Sequence, residues 1–143
     1  MKTKITKNFS LEEFTATETG FLNIPTYQAV INLTLLCVNV LQPARDKINK
    51  KITIISGYRC KKVNRYVGGK YNSQHLIAEA ADIVCDDLME LYKAIESTGN
   101  YDQLIIERSK KTGFQWIHVS WSKNKNRKMT FKLVKDDNKE FAN

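Results

Sequence analysis

The 143-residue sequence predicts an α+β fold, in which N-terminal helices pack on a small antiparallel sheet. Two observations predict it. Apolar residues recur at intervals of three and four over residues 26–49, which is typical of a helix. Residues 103–108 and 114–121 are apolar-rich runs separated by a short polar loop, which is typical of a hairpin. The composition, 42% hydrophobic and 27% charged, is that of a globular protein.

We expect a single domain over residues 1–143, because this length suits one hydrophobic core. Two prolines and six glycines also argue against a long flexible linker. The core is expected at about residues 9–134, and a polar tail is expected at residues 135–143.

The helices of the N-terminal half have clear boundary signals. A short helix is predicted to begin at Leu11, since residues 10–13 (Ser-Leu-Glu-Glu) have the form of a capping box. The long helical stretch at residues 26–49 contains Pro43, which should kink the helix or open a second segment.

The remaining elements are predicted from shorter signals. Residues 61–66 can form one or two helical turns, and Asp86 or Asp87 can cap a later helix that runs to about Ser97. Strands are expected, in chain order, at residues 51–56, 80–84, 103–108, 114–121 and 129–134.

The chain is basic, with 23 Lys and Arg against 15 Asp and Glu and a formal net charge of +8. Such a charge favours a polyanionic partner: a nucleic acid, an anionic membrane surface or an anionic cell-wall polymer. The alternative is that it serves solubility alone. The basic run at residues 123–128 is expected to be a solvated turn, or to hold an anionic glycan chain.

Signals for export and for membrane insertion are absent from the sequence. No stretch reaches the ~18 apolar residues that a membrane span needs, and the basic start at residues 1–8 has no apolar run after it. We therefore expect a chain that is made in the cytoplasm and does not insert into a membrane. The odd set of Cys37, Cys60 and Cys85 predicts free thiols in a reducing compartment.

The chain has two histidines, and both lie in segments that suggest a metal site. His75 precedes Asp82 by seven residues, across small residues, and His118 lies on a predicted strand. Two imidazoles and one carboxylate can bind Zn²⁺ and leave a fourth position for water, as in catalytic zinc sites. A His and an Asp seven residues apart also occur by chance, and both histidines can be ordinary polar or half-buried residues. A zinc site and this simpler interpretation both stay open at this point.

A longer string of motifs surrounds these residues. In chain order the motifs are Leu41-Gln42-Pro43-Ala44-Arg45, Ser56-Gly57-Tyr58-Arg59, Asn64, Val67-Gly68-Gly69, Ser73-Gln74-His75, Ala80-Ala81-Asp82-Ile83 and Trp116-Ile117-His118-Val119-Ser120. This string resembles the zinc D-alanyl-D-alanine carboxypeptidase family, which includes phage and bacterial murein endopeptidases. The resemblance runs from about Phe9 to Trp121.

The resemblance implies that His75, Asp82 and His118 bind zinc. It also implies that Arg59 lies in the substrate cleft and orients a peptide carboxylate or carbonyl, a role that suits the two-pronged guanidinium. The alternative for Arg59 is a surface salt bridge.

Other residues near these motifs have less specific implied roles. Ser73 and Gln74 resemble family residues that shape the site or contact substrate, although simple loop polarity explains them equally well. Trp116 is expected to line the site or pack beside it, and a buried core position is the alternative. Where this chain has Ala78, the family usually has glycine.

The general base is harder to assign. Many family members have an acidic residue three positions before the last histidine, but this chain has Gln115 there, and glutamine cannot take a proton. Other family members resemble this chain in a Gln-Leu-Ile-x-Glu strand that ends with an acidic residue. In this chain the strand is residues 103–107, and the acidic residue is Glu107. We therefore favour Glu107 as the general base, and Glu79 is a second, less favoured candidate. The alternative for Glu107 is a solvated hairpin carboxylate paired with a lysine.

The position of Glu107 depends on the register of the hairpin. If Glu107 pairs with Phe114, it shares a face with Trp116 and His118, because side chains alternate along a strand. A slip of one residue would turn it away.

The resemblance implies a zinc-dependent metallopeptidase that hydrolyses peptide bonds of peptidoglycan stem peptides, as a D-Ala-D-Ala carboxypeptidase or a murein endopeptidase. The alternative is a zinc-containing module that binds cell wall without cutting it. We expect a monomer, and no nucleic-acid partner, since no nucleic-acid-binding pattern accompanies the charge. Without a secretory signal, the chain would suit a phage-type lysin released to the cell wall, a virion component or a cytoplasmic dipeptidase, and the basic charge favours murein over a free dipeptide as substrate.

Overall fold

A computed structural model describes residues 2–135, in which helices pack on a five-stranded sheet. The helices are α1 (Leu11–Thr15), α2 (Tyr27–Leu36), α3 (Gln42–Ile48), α4 (Lys61–Tyr66) and α5 (Leu88–Thr98). The strands are β1 (Lys4–Thr6), β2 (Phe9–Ser10), β3 (Thr53–Ser56), β4 (Ala80–Val84), β5 (Gln103–Ser109), β6 (Gln115–Ser120) and β7 (Met129–Lys135). The predicted α+β class is confirmed.

The main sheet has the order β3-β4-β6-β5-β7, and it is mixed rather than antiparallel throughout. The first four strands pair antiparallel, as predicted, but β7 runs parallel to β5, so the prediction of a purely antiparallel sheet is wrong at this strand. The connection at residues 121–128 explains it. Because β6 ends beside the start of β5, this connection crosses to the free edge of β5 and starts Met129 opposite Gln103.

The N-terminal segment forms a small separate sheet of β1 and β2, which the sequence analysis did not predict. The capping box at the start of α1 is confirmed: the backbone N–H of Ser10 donates to Oε2 of Glu13 at 2.7 Å. The N-terminal segment therefore leads directly into α1, whose Phe14 is fully buried.

The long helical stretch changes its hydrogen bonding before Pro43. Residues 37–41 form a π-helical turn, and the N–H of Gln42 donates to the carbonyl of Cys37. Pro43 then lies in the first turn of α3, where a missing N–H costs little. The expectation of a second segment at Pro43 is confirmed, with a π turn as the junction.

The core lies between the helices and one face of the sheet. In the strand register, Ile83 and Ile106 both lie opposite Ile117, so these residues share the face toward the helices. Their neighbours Asp82 and His118 share the other face. The side chains at the centre of the core include Phe9, Phe14, Leu33, Leu36, Leu41, Leu91, Ile95 and Leu104.

The sequence predicts a polar tail at residues 135–143 and no membrane-spanning helix. Lys135, assigned to the polar tail, is the last residue of β7, and residues 136–143 lie outside the described part of the chain. Between residues 2 and 135, no helix is both long enough and apolar enough to cross a bilayer.

Candidate metal centre and cleft

The fold brings His75, Asp82 and His118 together in a buried cluster. His75 lies in a 3-10 turn at Gln74–Ile77, Asp82 is central in β4, and the sheet register pairs Asp82 with His118 of β6. Oδ1 of Asp82 lies 3.4 Å from Nε2 of His75 and 3.2 Å from Nδ1 of His118. One donor atom from each residue lies within 4.8 Å of the other two.

These distances fit a small divalent cation. Zinc bonds to nitrogen and oxygen of roughly 2.0–2.1 Å place two tetrahedral ligands about 3.3–3.4 Å apart. The two distances from Asp82 are close to that separation. The donor set of two imidazoles and a carboxylate also matches catalytic zinc sites, so the cluster could hold this metal.

The outer nitrogen of His75 is hydrogen-bonded in a way that prepares the ring for a metal. Its Nδ1 lies 2.7 Å from the carbonyl oxygen of Gly57. Since a carbonyl only accepts, Nδ1 carries the proton and Nε2 keeps its lone pair toward Asp82. Gly57 can hold this position because it has no side chain, as a Cβ there would lie 2.6 Å from the carbonyl oxygen of Phe14.

The charge states of the cluster also suit a cation. Burial lowers the pKa of His75 and favours its neutral form. Burial opposes ionisation of Asp82, but the two neighbouring histidines outweigh it and hold the pKa of this carboxyl well below its usual range. Neutral imidazole and ionised carboxylate are the forms that bind divalent metals.

Arg59 lies at the edge of the cluster, and it also lines a cleft of about 940 Å³. Its Nη2 lies 3.5 Å from Oδ2 of Asp82, Nε donates to the hydroxyl of Ser56, and Nη1 donates to Oδ1 of Asn64. The side chain keeps 16% of its surface exposed. The cleft is further lined by Thr17, Glu18, Ile54, Tyr66, Val67 and Phe114.

Ser73 and Gln74, the two residues before His75, both make structural contacts. The hydroxyl of Ser73 accepts from the backbone N–H of His75 at 3.2 Å and so caps the 3-10 turn. The amide of Gln74 lies between Nε2 of His118 and the carboxylate of Asp102. Sequence reasoning did not find Asp102, or the Arg127 that holds it, because no local motif links these positions.

The hairpin register differs from the one assumed from the sequence. Glu107 pairs with Trp116 rather than with Phe114, so the assumed pairing is wrong by two residues. A shift of two preserves the face of a strand, and Glu107 therefore lies on the same face as Trp116 and His118. Glu107 as a whole residue is 1% exposed.

The two other positions considered for the base lie elsewhere. Gln115 is exposed and, three residues before His118 on a regular strand, points to the opposite face of the sheet. Glu79 directly precedes β4 and is largely buried. Burial, followed by the nearby Asp102 carboxylate, raises the pKa of Glu79.

Trp116 stacks on Phe114, with ring centroids 6.0 Å apart and ring planes 23° apart. Phe114 is half exposed and lines the cleft, whereas Trp116 is partly buried behind it. Among the described residues, Nε1 of Trp116 finds no hydrogen-bond partner. The pair forms an aromatic surface beside the site.

The sequence was also compared with known proteins. The sequence model of the family described as Peptidase M15 matches residues 7–120, a range that includes the whole His75, Asp82 and His118 cluster. No curated protein sequence matches significantly. The family match covers most of the chain and supports the resemblance at the level of the peptidase family. The chain therefore belongs to the peptidase M15 family.

Proposed function

We propose that the protein is a zinc-dependent metallopeptidase that hydrolyses peptide bonds in peptidoglycan stem peptides. The observation that carries this proposal is the spacing of the donor atoms of His75, Asp82 and His118, in a chain of the peptidase M15 family. These three residues would hold the metal. When bound, zinc would lower the pKa of its water toward ~7 and polarise a carbonyl.

Arg59 is proposed to orient the substrate. Arg59 lines the cleft, and its guanidinium lies 3.5 Å from Asp82, so a carboxylate or carbonyl bound to the guanidinium would lie beside the metal cluster. Two parallel N–H donors match a carboxylate, and a charge-assisted bond of this kind contributes about 1.5–3 kcal/mol. The contacts with Ser56 and Asn64 fix the direction of the guanidinium before substrate arrives.

Glu107 is proposed as the general base, which takes a proton from the attacking water and passes it to the leaving amine. Glu107 lies on the same face of the sheet as His118, which supports this role. Gln115 points to the opposite face, so we propose no catalytic role for it.

The cleft and the surface charge support a murein substrate. An extended peptide chain can follow the cleft past Phe114 and Tyr66, with Trp116 behind Phe114 and Ser73 near the first histidine as proposed contributors to binding. The net charge of +8 would attract the anionic cell wall. A carboxypeptidase and an endopeptidase would use the same cluster.

A second candidate, a non-catalytic zinc-containing module that binds cell wall, is favoured by one observation. Glu107 is almost fully buried, whereas a base must reach the attacking water. Both candidates use the same metal cluster, so they differ in catalysis alone.

Digestion of purified peptidoglycan distinguishes the two candidates. We expect the zinc-loaded wild type to release stem-peptide fragments, and mass spectrometry of the products would identify the bond that is cut. Glu107→Gln should keep the metal and lose at least 100-fold in rate, as expected for a general base that contributes roughly 10²–10⁴-fold. Intact peptidoglycan with bound wild-type protein would favour the binding module, and full activity of the variant would exclude Glu107 as the base.

A further inference from the structure

We propose that Gln74 is a positioning residue, which holds His118 so that Nδ1, rather than Nε2, is presented to the metal. Asp102 and Arg127 hold Gln74 in turn, and we call these three residues the outer chain. This inference rests on the proposed metal site but assigns residues that lie outside it.

Within the outer chain, the carboxylate of Asp102 is held firmly by Arg127. Asp102 is 3% exposed and binds Arg127 through both oxygens, from Nε to Oδ1 and from Nη2 to Oδ2, each at 2.8 Å. The backbone N–H of Arg127 also donates to Oδ1 at 2.9 Å. The hydrogen bonds from Arg127 hold the pKa of Asp102 below its usual value, so the carboxylate is ionised and only accepts.

This carboxylate determines which way the amide of Gln74 points. Only the NH₂ group of an amide can donate to a carboxylate, so Nε2 of Gln74 must face Oδ2 of Asp102, at 2.8 Å. The carbonyl oxygen of the amide then faces the other way. A flipped amide would set an oxygen against the ionised carboxylate, which is unfavourable.

The amide in turn determines which nitrogen of His118 carries the proton. Oε1 of Gln74 lies 3.2 Å from Nε2 of His118 and can only accept. Nε2 must therefore donate, which leaves Nδ1 as the ring nitrogen that can bind the metal. Nδ1 is the atom that lies 3.2 Å from Asp82 inside the cluster.

The two histidines are thus oriented by opposite means. His75 donates from Nδ1 to the backbone carbonyl of Gly57 and presents Nε2, whereas His118 donates from Nε2 to a side chain and presents Nδ1. Outer partners of metal-binding histidines fix the tautomer and contribute to affinity. The partner of His118 is a side chain, so its contribution can be removed by substitution.

The first test reads the tautomers directly in the zinc-loaded wild-type protein. Long-range ¹H–¹⁵N correlation spectra distinguish the protonated ring nitrogen of each histidine, and the chain has only two. We expect one ring protonated at Nδ1 and the other at Nε2. Two rings protonated at the same nitrogen would overturn the proposal.

The second test measures zinc affinity by competition with a chromophoric chelator. Gln74→Met keeps the side-chain length but removes the acceptor, and we expect the Kd for zinc to rise about 10–100-fold. Asp102→Asn, which frees the amide of Gln74 to turn, should raise the Kd less. A Gln74→Met protein whose Kd is within about twofold of the wild type would overturn the proposal.

A matched control is available in α3. Gln42 is another glutamine whose amide is hydrogen-bonded at both ends. Its Oε1 accepts from the hydroxyl of Thr6 and the backbone N–H of Asn8, and its Nε2 donates to Asp46. Gln42→Met should leave the zinc Kd unchanged. Equal weakening in both variants would show a general loss of stability and would also overturn the proposal.

Neither test depends on hydrolysis. A protein that binds zinc with the expected tautomers but cuts no peptide would refute the proposed peptidase activity and leave this inference standing. A protein that cuts peptides but shows no effect of Gln74→Met on zinc affinity would do the reverse.

Discussion

Gly69 lies so close to Asn64, which supports Arg59, that any side chain at this position would have to displace Asn64. A Cβ at this position would overlap Oδ1 of Asn64 and stand 3.1 Å from Nη1 of Arg59. Oδ1 of Asn64 accepts from Arg59, while its Nδ2 donates to the carbonyl of Lys70 at 2.7 Å. The absence of a side chain at Gly69 is therefore part of what positions the guanidinium.

Gly69→Ala should displace Asn64 and loosen Arg59. We expect the free energy of unfolding to fall by about 1–3 kcal/mol, as for other insertions into packed sites, and KM to rise. Gly68→Ala is the control, since a Cβ there meets no atom and only its positive φ of 77° is strained. Chemical denaturation and peptide kinetics would measure both effects, and an unchanged KM in Gly69→Ala would contradict this role.

Asp102 should make stability depend on pH. Its pKa is lowered in the folded protein, chiefly by the hydrogen bonds from Arg127, from an ordinary value of 3.8. The stabilisation is therefore complete above pH 3.8 and is lost as the pH falls through the lower folded-state pKa. Asp102→Asn should reduce the melting temperature of the metal-free protein at pH 7 and have a smaller effect at pH 3. A difference that does not change with pH would contradict this prediction.

The clustering of the three candidate ligands could be predicted from the sequence, but the residues around them could not. Short sequence motifs identify His75, Asp82 and His118, and the fold brings these three residues together as predicted. Asp102 and Arg127 become partners of the site only through the crossing of residues 121–128 to the free edge of β5. No local pattern encodes that crossing.

Helix α5 offers a direct test at the scale of a single element. The sequence left Asp86 and Asp87 open as its cap, and in the structure Oδ1 of Asp87 accepts from the backbone N–H of Glu90 at 3.0 Å. Asp87→Ala should lower the free energy of unfolding by about 0.5–2 kcal/mol. Asp86→Ala, which removes an exposed carboxylate of the same type, should have little effect. Equal losses in urea denaturation would contradict the assignment of the cap.

The strands show which element properties were predictable. Alternation of side chains placed Glu107 on the face of His118 even though the assumed pairing was wrong, since a shift of two residues preserves the face. The direction of β7 was not predictable, because apolar alternation is the same in parallel and antiparallel strands. The two-residue strand β2 was too short to give a pattern.

At the scale of the whole molecule, the metal cluster joins elements that are far apart in the chain. His75 lies in a 3-10 turn between β3 and β4, whereas Asp82 and His118 lie on the neighbouring strands β4 and β6. A metal bound to all three would stabilise the folded chain but not the unfolded one. Stability should therefore depend on the concentration of zinc.

Zinc at about 100 times its Kd should add about 2.7 kcal/mol to the free energy of unfolding. For a chain of this size, that corresponds to a rise of roughly 5–10 °C in the melting temperature. Thermal denaturation with zinc and with EDTA would measure it. His75→Ala should melt at the same temperature under both conditions, and a persistent zinc-dependent shift in that variant would indicate a metal site elsewhere.

We propose that one zinc ion, held by His75, Asp82 and His118, makes this peptidase M15 chain able to cut peptidoglycan. The most direct test of this proposal measures bound zinc and stem-peptide release in the same preparations of the wild type and of His118→Ala. We predict one zinc per chain and zinc-dependent cleavage for the wild type, and neither for the variant. A wild type that retains no zinc, or a His118→Ala variant that cuts peptidoglycan at the wild-type rate, would contradict the account.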